Sequence, residues 1–187
     1  MTVRVLILPG LFDSDPDHWQ SQWEQRFSGF KRVKQTDWQT PTCADWVQRL
    51  HEKVTASERP VALVAHSLAC TLIARWAHEY PDIAQKMVRG ALLVAPSDTE
   101  ADSYPGGTHG FTPMPLNLLP FESITVASTD DPYVSVERAK MFSDAWGSTL
   151  VHLPNAGHIN GERGYGKWPQ GIDLLFKLTG DQQFKQA

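Results

Sequence analysis

Short runs of apolar residues alternate along the chain with stretches in which apolar residues recur every three or four positions. Val3–Leu8, Val61–Ala65 and Gly90–Ala95 are nearly continuous apolar runs. Runs of that length predict strands buried on both faces of a parallel sheet, and Pro9-Gly10 supplies a stop for the first. Ser123–Ala127 and Thr149–Leu153 repeat the strand character, while Phe30–Gln35 is charge-rich and reads as a strand near an edge. Between them, Trp19, Trp23 and Phe27 fall at helical spacing, as do Val47, Leu50 and Val54, then Ala69, Leu72, Ile73 and Trp76, then Ala139, Phe142 and Trp146. Asp17 with Gln20 three residues later resembles a capping box and predicts a helix over 18–27. Thr42 with Asp45 opens the second helix, and a closing helix over Pro169–Thr179 ends at Gly180.

Strands alternating with helices, with no repeat and no linker-like break in composition, predict one α/β domain over residues 1–187. Its sheet should be doubly wound and mostly parallel, with helices on both faces. Such sheets bind ligands at the carboxyl ends of their strands. Pro96–Phe121 is rich in Pro, Gly, Ser and Asp without periodicity, and a loop of that length is a candidate partial lid.

Composition removes several function classes. With 41% hydrophobic and 20% charged residues the chain can close a core, so disorder is not expected. The formal net charge is -4 and the Lys and Arg residues are scattered in sequence, which argues against a nucleic-acid partner. The apolar run near the start is too short to span a bilayer and lacks the features of an export signal, so no membrane association is expected. The two cysteines, Cys43 and Cys70, fall within predicted helices, which suits a reducing compartment and a cytoplasmic protein.

The chemistry concentrates at the predicted strand ends. Ala65-His66-Ser67-Leu68-Ala69 is a small-x-Ser-x-small pentapeptide between a strand and a helix, with Ala in place of both glycines of a G-x-S-x-G nucleophile elbow. A serine hydroxyl needs a base touching it, an acid orienting that base, and donors facing the oxyanion. Asp130-Asp131-Pro132 leaves the sheet after 123–127 and offers Asp131 as the acid, with Asp130 as a substitute. Gly157-His158 follows the last strand and offers His158 as the base. The order Ser67, Asp131, His158 is that of α/β-hydrolases. The backbone N–H groups of Leu11, after the first strand, and Leu68, after the serine, are the candidate oxyanion donors, with Phe12 as an alternative to Leu11. Phe12, Trp19, Phe111, Tyr165 and Trp168 flank the predicted active-site loops and are candidates to line an acyl pocket. Trp23, Trp38, Trp46, Trp76 and Trp146 read as packing residues.

Several further stretches carry a specific likeness: Leu6-Ile-Leu-Pro-Gly10 with His18-Trp19, His66-Ser-Leu68, Ser128-Thr-Asp-Asp-Pro-Tyr133, Ala145-Trp-Gly147, and Gly157-His-Ile-Asn160 with Gly164-Tyr-Gly166 and Trp168-Pro169. Through them the chain resembles, over essentially its whole length, the retinoblastoma-binding-protein-9-like, YdeN-type family of small serine hydrolases. The resemblance implies a reduced α/β-hydrolase fold without a large cap domain, and gives Ser67, Asp131 and His158 the triad roles. It implies a small-molecule acyl substrate, with a carboxylesterase-like activity as the first expectation; thioesterases, amidases and some peptidases share the same triad logic.

Rival chemistries find little in the sequence. His51-Glu52 and His78-Glu79 lack the second histidine of a zinc-binding H-E-x-x-H helix, and no P-loop or dinucleotide glycine motif follows a strand. No metal and no cofactor is therefore expected. The competing reading is an α/β-hydrolase-fold interaction module with weak or no catalysis, because a fold can persist while its site drifts.

Overall fold

The computed structural model describes residues 3–181. Six strands, β1 (Arg4–Leu8), β2 (Phe30–Arg32), β3 (Val61–His66), β4 (Val88–Val94), β5 (Ser123–Ser128) and β6 (Thr149–Leu153), form one sheet in the order β2-β1-β3-β4-β5-β6. Every neighbouring pair is parallel, so all the carboxyl ends emerge along one edge. β3 lies in the middle and is buried at every position, which is why its sequence is apolar without alternation.

Successive strand residues point to opposite faces, and this divides the interior into two cores. Leu6, Leu8, Leu63 and Leu93 meet α2 (Cys43–Thr55), α3 (Leu68–Glu79), α4 (Pro81–Met87) and α5 (Val136–Trp146) through Trp46, Leu72, Ala84 and Phe142. Val5, Ile7, Val64 and Leu92 meet α1 (Trp19–Arg26) and α6 (Pro169–Thr179) through Trp19, Trp23, Trp168 and Leu175. The result is three layers, helix, sheet and helix.

Local differences from the sequence reading have physical reasons. His18, rather than Asp17, caps α1: its Nδ1 accepts the backbone N–H of Gln20 at 3.1 Å. Gln20 is thereby free for another task. Fully buried, its Nε2 donates to the carbonyls of Leu8 and Val64 and its Oε1 accepts from the Ser14 hydroxyl, which ties the carboxyl ends of β1 and β3 together. α4 is only seven residues long, and although Ile83, Ala84 and Met87 turn toward the core, they are too few for a helical period to stand out. β2 is shorter than expected, three residues, although Val33 still donates to the Ile7 carbonyl.

The segment 96–121 is pinned rather than loose. Phe111 and Met114 are buried, the Thr71 hydroxyl meets the Met114 sulfur, Arg75 and Trp146 donate to the carbonyls of Pro113 and Pro115, and Arg138 on α5 holds both Asp98 and Glu100. Most of it packs against α2, α3 and α5, and only Tyr104 and Pro105 from its middle reach toward the carboxyl edge of the sheet, together with Ser97 at its start. Among the described residues no helix is long and apolar enough to cross a membrane.

Candidate active site

Ser67 joins β3 directly to α3 and adopts φ 58° and ψ -125°. A side chain in that region costs of order 1–3 kcal/mol and persists only where the surroundings over-determine it. Here the Ser67 amide donates to the Val94 carbonyl on β4 at 2.9 Å, fixing the turn. The strain is not isolated: Phe12 and Asp13 after β1, Ala95 after β4, and Asn155 and Ile159 after β6 also have positive φ. Apart from Trp168, every non-glycine residue of this kind among the described residues lies beyond a strand's carboxyl end.

His158, on the loop after β6, directs Nδ1 at both oxygens of Asp131, at 3.0 and 2.9 Å. A carboxylate accepts, so Nδ1 carries the proton and the Nε2 lone pair is left available. The Asp131 side chain is fully buried and also accepts the Tyr133 backbone N–H at 2.9 Å. Asp130, its neighbour, is used differently. One of its oxygens accepts from the Ser128 hydroxyl at 2.7 Å and the Gly157 N–H at 2.6 Å, and these bonds hold its carboxyl below the usual carboxylate range. Asp130 thus clamps the loop that carries His158, while Asp131 touches the imidazole itself.

Gly10 brings the loop after β1 hard against Ser67. A Cβ placed there would lie 2.8 Å from the Ser67 Cβ and 2.9 Å from the His66 carbonyl oxygen, so only glycine fits. Among the described residues the backbone N–H groups of Leu11 and Leu68 have no hydrogen-bond partner; that of Leu68 opens α3, where the helix leaves it unpaired. The Phe12 N–H donates to the Trp38 carbonyl at 2.8 Å, so it is not free to serve as an oxyanion donor.

Ser67 and His158 line one cavity of about 230 Å³ together with Leu11, Phe12, His18 and Ser97. Ser97, just beyond β4, was not singled out by the sequence, where it is one polar residue in a long polar loop. Its hydroxyl lies 2.7 Å from the Ser67 hydroxyl. His66 also has a role its position beside Ser67 concealed: Nε2 reaches the His158 carbonyl at 2.8 Å. The rings of His18, His66 and His158 follow one another at centroid separations of 4.6 and 4.7 Å. Burial, with His18 and His158 as neighbours, pushes His66 well below its ordinary value, and burial lowers His18 to about 4, so both are neutral near pH 7.

Of the residues expected along an acyl pocket, Phe12 lines the cavity, 63% exposed at its rim. Trp19, Phe111, Tyr165 and Trp168 do not line it. Trp19 and Trp168 are buried with Trp23 between α1 and α6, where Trp19 Nε1 donates to the Ile159 carbonyl and so braces the His158 loop from beneath. Tyr165 packs edge-on against Trp168, and Phe111 packs edge-on against Trp46 in the opposite core. Proximity in sequence to an active-site loop does not decide on which side of that loop an aromatic ring is buried. No group of His, Cys, Asp and Glu among the described residues is arranged to hold a metal ion.

Residues 5–177 match a protein-family model described as serine hydrolase. Among solved structures, a protein described as a YdeN-like hydrolase from Pectobacterium atrosepticum is 31% identical, with a TM-score of 0.82 over 96% of this chain and 91% of that one. The ydeN gene product of B. subtilis is 19% identical, with a TM-score of 0.71 over 96% and 100% of the two chains. Est1E from Butyrivibrio proteoclasticus, 10% identical, has a TM-score of 0.65 over 96% and 90%; the last two likenesses concern the fold alone. Among curated protein sequences none matches.

Proposed function

Because the chain belongs to the serine hydrolase family, as a YdeN-type member with the compact α/β-hydrolase fold, we propose that it hydrolyses small acyl esters with Ser67 as nucleophile, His158 as general base and Asp131 as the acid that orients it. The observation that carries the reading is the His158–Asp131 pair: with Nδ1 committed to a buried carboxylate, Nε2 is the one ring nitrogen left to take a proton, in the cavity that Ser67 lines.

In this mechanism the Ser67 hydroxyl turns from Ser97 toward His158 and gives up its proton as Oγ attacks the acyl carbon. Negative charge builds on the former carbonyl oxygen, and the unpaired amides of Leu11 and Leu68 are suited to receive it; one such donor is typically worth about 10² to 10³ in turnover. The protonated imidazole then returns its proton to the leaving alcohol. Water, activated by the same imidazole, releases the acid and restores Ser67. The cavity of about 230 Å³ suits short acyl groups, and the exposed ring of Phe12 at its rim is placed to meet the acyl chain.

A fluorophosphonate probe tests the assignment. Covalent labelling that disappears in Ser67→Ala is expected, together with faster turnover of p-nitrophenyl acetate than of the octanoate. Labelling that survives in Ser67→Ala would remove Ser67 from the nucleophile's role. No labelling of the wild type would instead favour an interaction module built on the same fold.

A further inference from the structure

Scattered in sequence, the basic residues are not scattered in space. Arg4 of β1, Lys31 and Arg32 of β2, Lys34 beyond it, and Arg49 and Lys53 of α2 line one groove of about 620 Å³ along the free edge of the sheet, and no acidic residue lines it. The chain carries 17 Lys and Arg residues against 21 Asp and Glu, so such a concentration runs against its overall balance. Arg32 is neutralised by Asp13 and Glu24, and Arg49 has Glu52 at 3.4 Å with both side chains well exposed. Arg4, Lys31, Lys34 and Lys53 make no ion pair among the described residues. Lysines on an edge strand commonly serve only to block edge-to-edge pairing. That purpose does not require cations on β1 and on a facing helix to converge with them on the same hollow.

The groove runs along the sheet edge toward the side of the molecule that holds the Ser67 cavity, and its Lys34–Thr36 end is the nearer one. Asp13 lines that cavity and pairs at 2.7 Å with Arg32, which lines the groove, and the Phe12 N–H at the cavity rim is bonded to Trp38 at the end of the segment leading from β2. β2 is two strands from β3, a lateral offset of about 10 Å, and the groove runs along the strands from Arg4, level with Val61, up to Lys34, so its cations stand about 10 to 25 Å from Ser67, a distance that an extended phosphate-bearing leaving group spans. We propose that the groove binds the anionic end of the substrate, so that the physiological substrates are acyl compounds whose leaving group bears phosphates. The inference rests on Ser67 being the nucleophile. With a thioester, the Ser67 Oγ–acyl bond forms as the C–S bond breaks, the departing sulfur takes its proton from protonated His158, and water hydrolyses the acyl-enzyme.

Acetyl-coenzyme A and S-acetyl-N-acetylcysteamine present the same thioester with and without phosphates. The expected result is a kcat/KM at least about 10-fold higher for the coenzyme A thioester at low ionic strength, shrinking toward parity as salt screens the groove. In K31E/K34E/K53E the ratio between the two substrates should collapse. In Ser67→Ala, which does not turn over, adenosine 3',5'-bisphosphate should still bind by calorimetry and lose that binding when the same three charges are reversed. Equal kcat/KM for the two thioesters, or an advantage that survives the charge reversal, would overturn the groove assignment while leaving Ser67 as nucleophile. Loss of labelling and of all ester hydrolysis in the wild type would overturn both.

Discussion

The imidazole of His66 donates from Nε2 to the main-chain carbonyl of His158 at 2.8 Å. The residue covalently before Ser67 is therefore bonded to the backbone of the residue proposed as its base, and the two loops cannot shift independently. Its Nε2 proton is committed to that carbonyl, and burial holds the ring well below its ordinary pKa, which makes it a poor proton acceptor near pH 7. It is a positioning residue. His66→Ala should lower kcat by about 10- to 100-fold with KM little changed, since a misplacement near 1 Å can cost about 10² in rate. His66→Gln, which keeps a donor, should recover part of the loss. A KM rise without a kcat fall, or no difference between the two variants, would assign His66 to packing alone.

Asp130 and Asp131 separate two effects that the sequence left entangled. Asp131→Asn should remove about 10⁴ in kcat, because the amide no longer holds the tautomer or stabilises the imidazolium. Asp130→Asn disturbs the Gly157 clamp rather than the imidazole, so its loss should be far smaller, within about 10²-fold, and accompanied by a lower Tm. Steady-state kinetics on the two variants with p-nitrophenyl acetate distinguish the assignments; a reversed order would make Asp130 the acid.

Gly10 gives a steric prediction. Gly10→Ala puts a methyl within 3 Å of the Ser67 Cβ and the His66 carbonyl, both held in a strained turn that has no room to yield. Overpacking of this kind costs about 1–3 kcal/mol, and the same push displaces the Leu11 amide. Urea unfolding should show the destabilisation, and kcat should fall by about 10² or more in the fraction that remains folded. A folded variant of normal activity would mean that the Leu11 amide takes no part.

The strand ends were legible because continuous apolar runs and flanking Gly or Pro are local signals, and the order of Ser67, Asp131 and His158 along the chain needs no structure to read. What could not be read was convergence. Ser97 sits in a polar loop and matters only because β4 lies beside β3. Trp19 and Trp168 carry the same local signal whether they face substrate or brace a loop, and here they are buried against each other. Arg4, Lys31 and the Arg49/Lys53 pair of α2 are far apart in sequence and meet only through the parallel pairing of β1 with β2 and the packing of α2. α4, seven residues long, offers only Ile83, Ala84 and Met87, too short a run for a period to be read.

His18 makes the stability of the fold depend on pH in a determinate direction. Burial holds its pKa near 4 against an ordinary 6.5, partly offset by Asp15 and reinforced by His158 and Arg32. Between those values the unfolded chain binds a proton that the native ring refuses, so stability rises with pH through this window. The contribution is complete above pH 6.5, falls as the pH drops below it, and is exhausted near pH 4; the shift corresponds to about 3 kcal/mol. His66 acts with the same sign. Asparagine at position 18 keeps a side-chain oxygen for the Gln20 N–H and does not titrate. Urea denaturation of the wild type and His18→Asn from pH 7.5 to 4.5 should therefore show the two stabilities converging as the pH falls, with a shallower slope for the variant. Parallel curves would place the proton uptake elsewhere in the molecule.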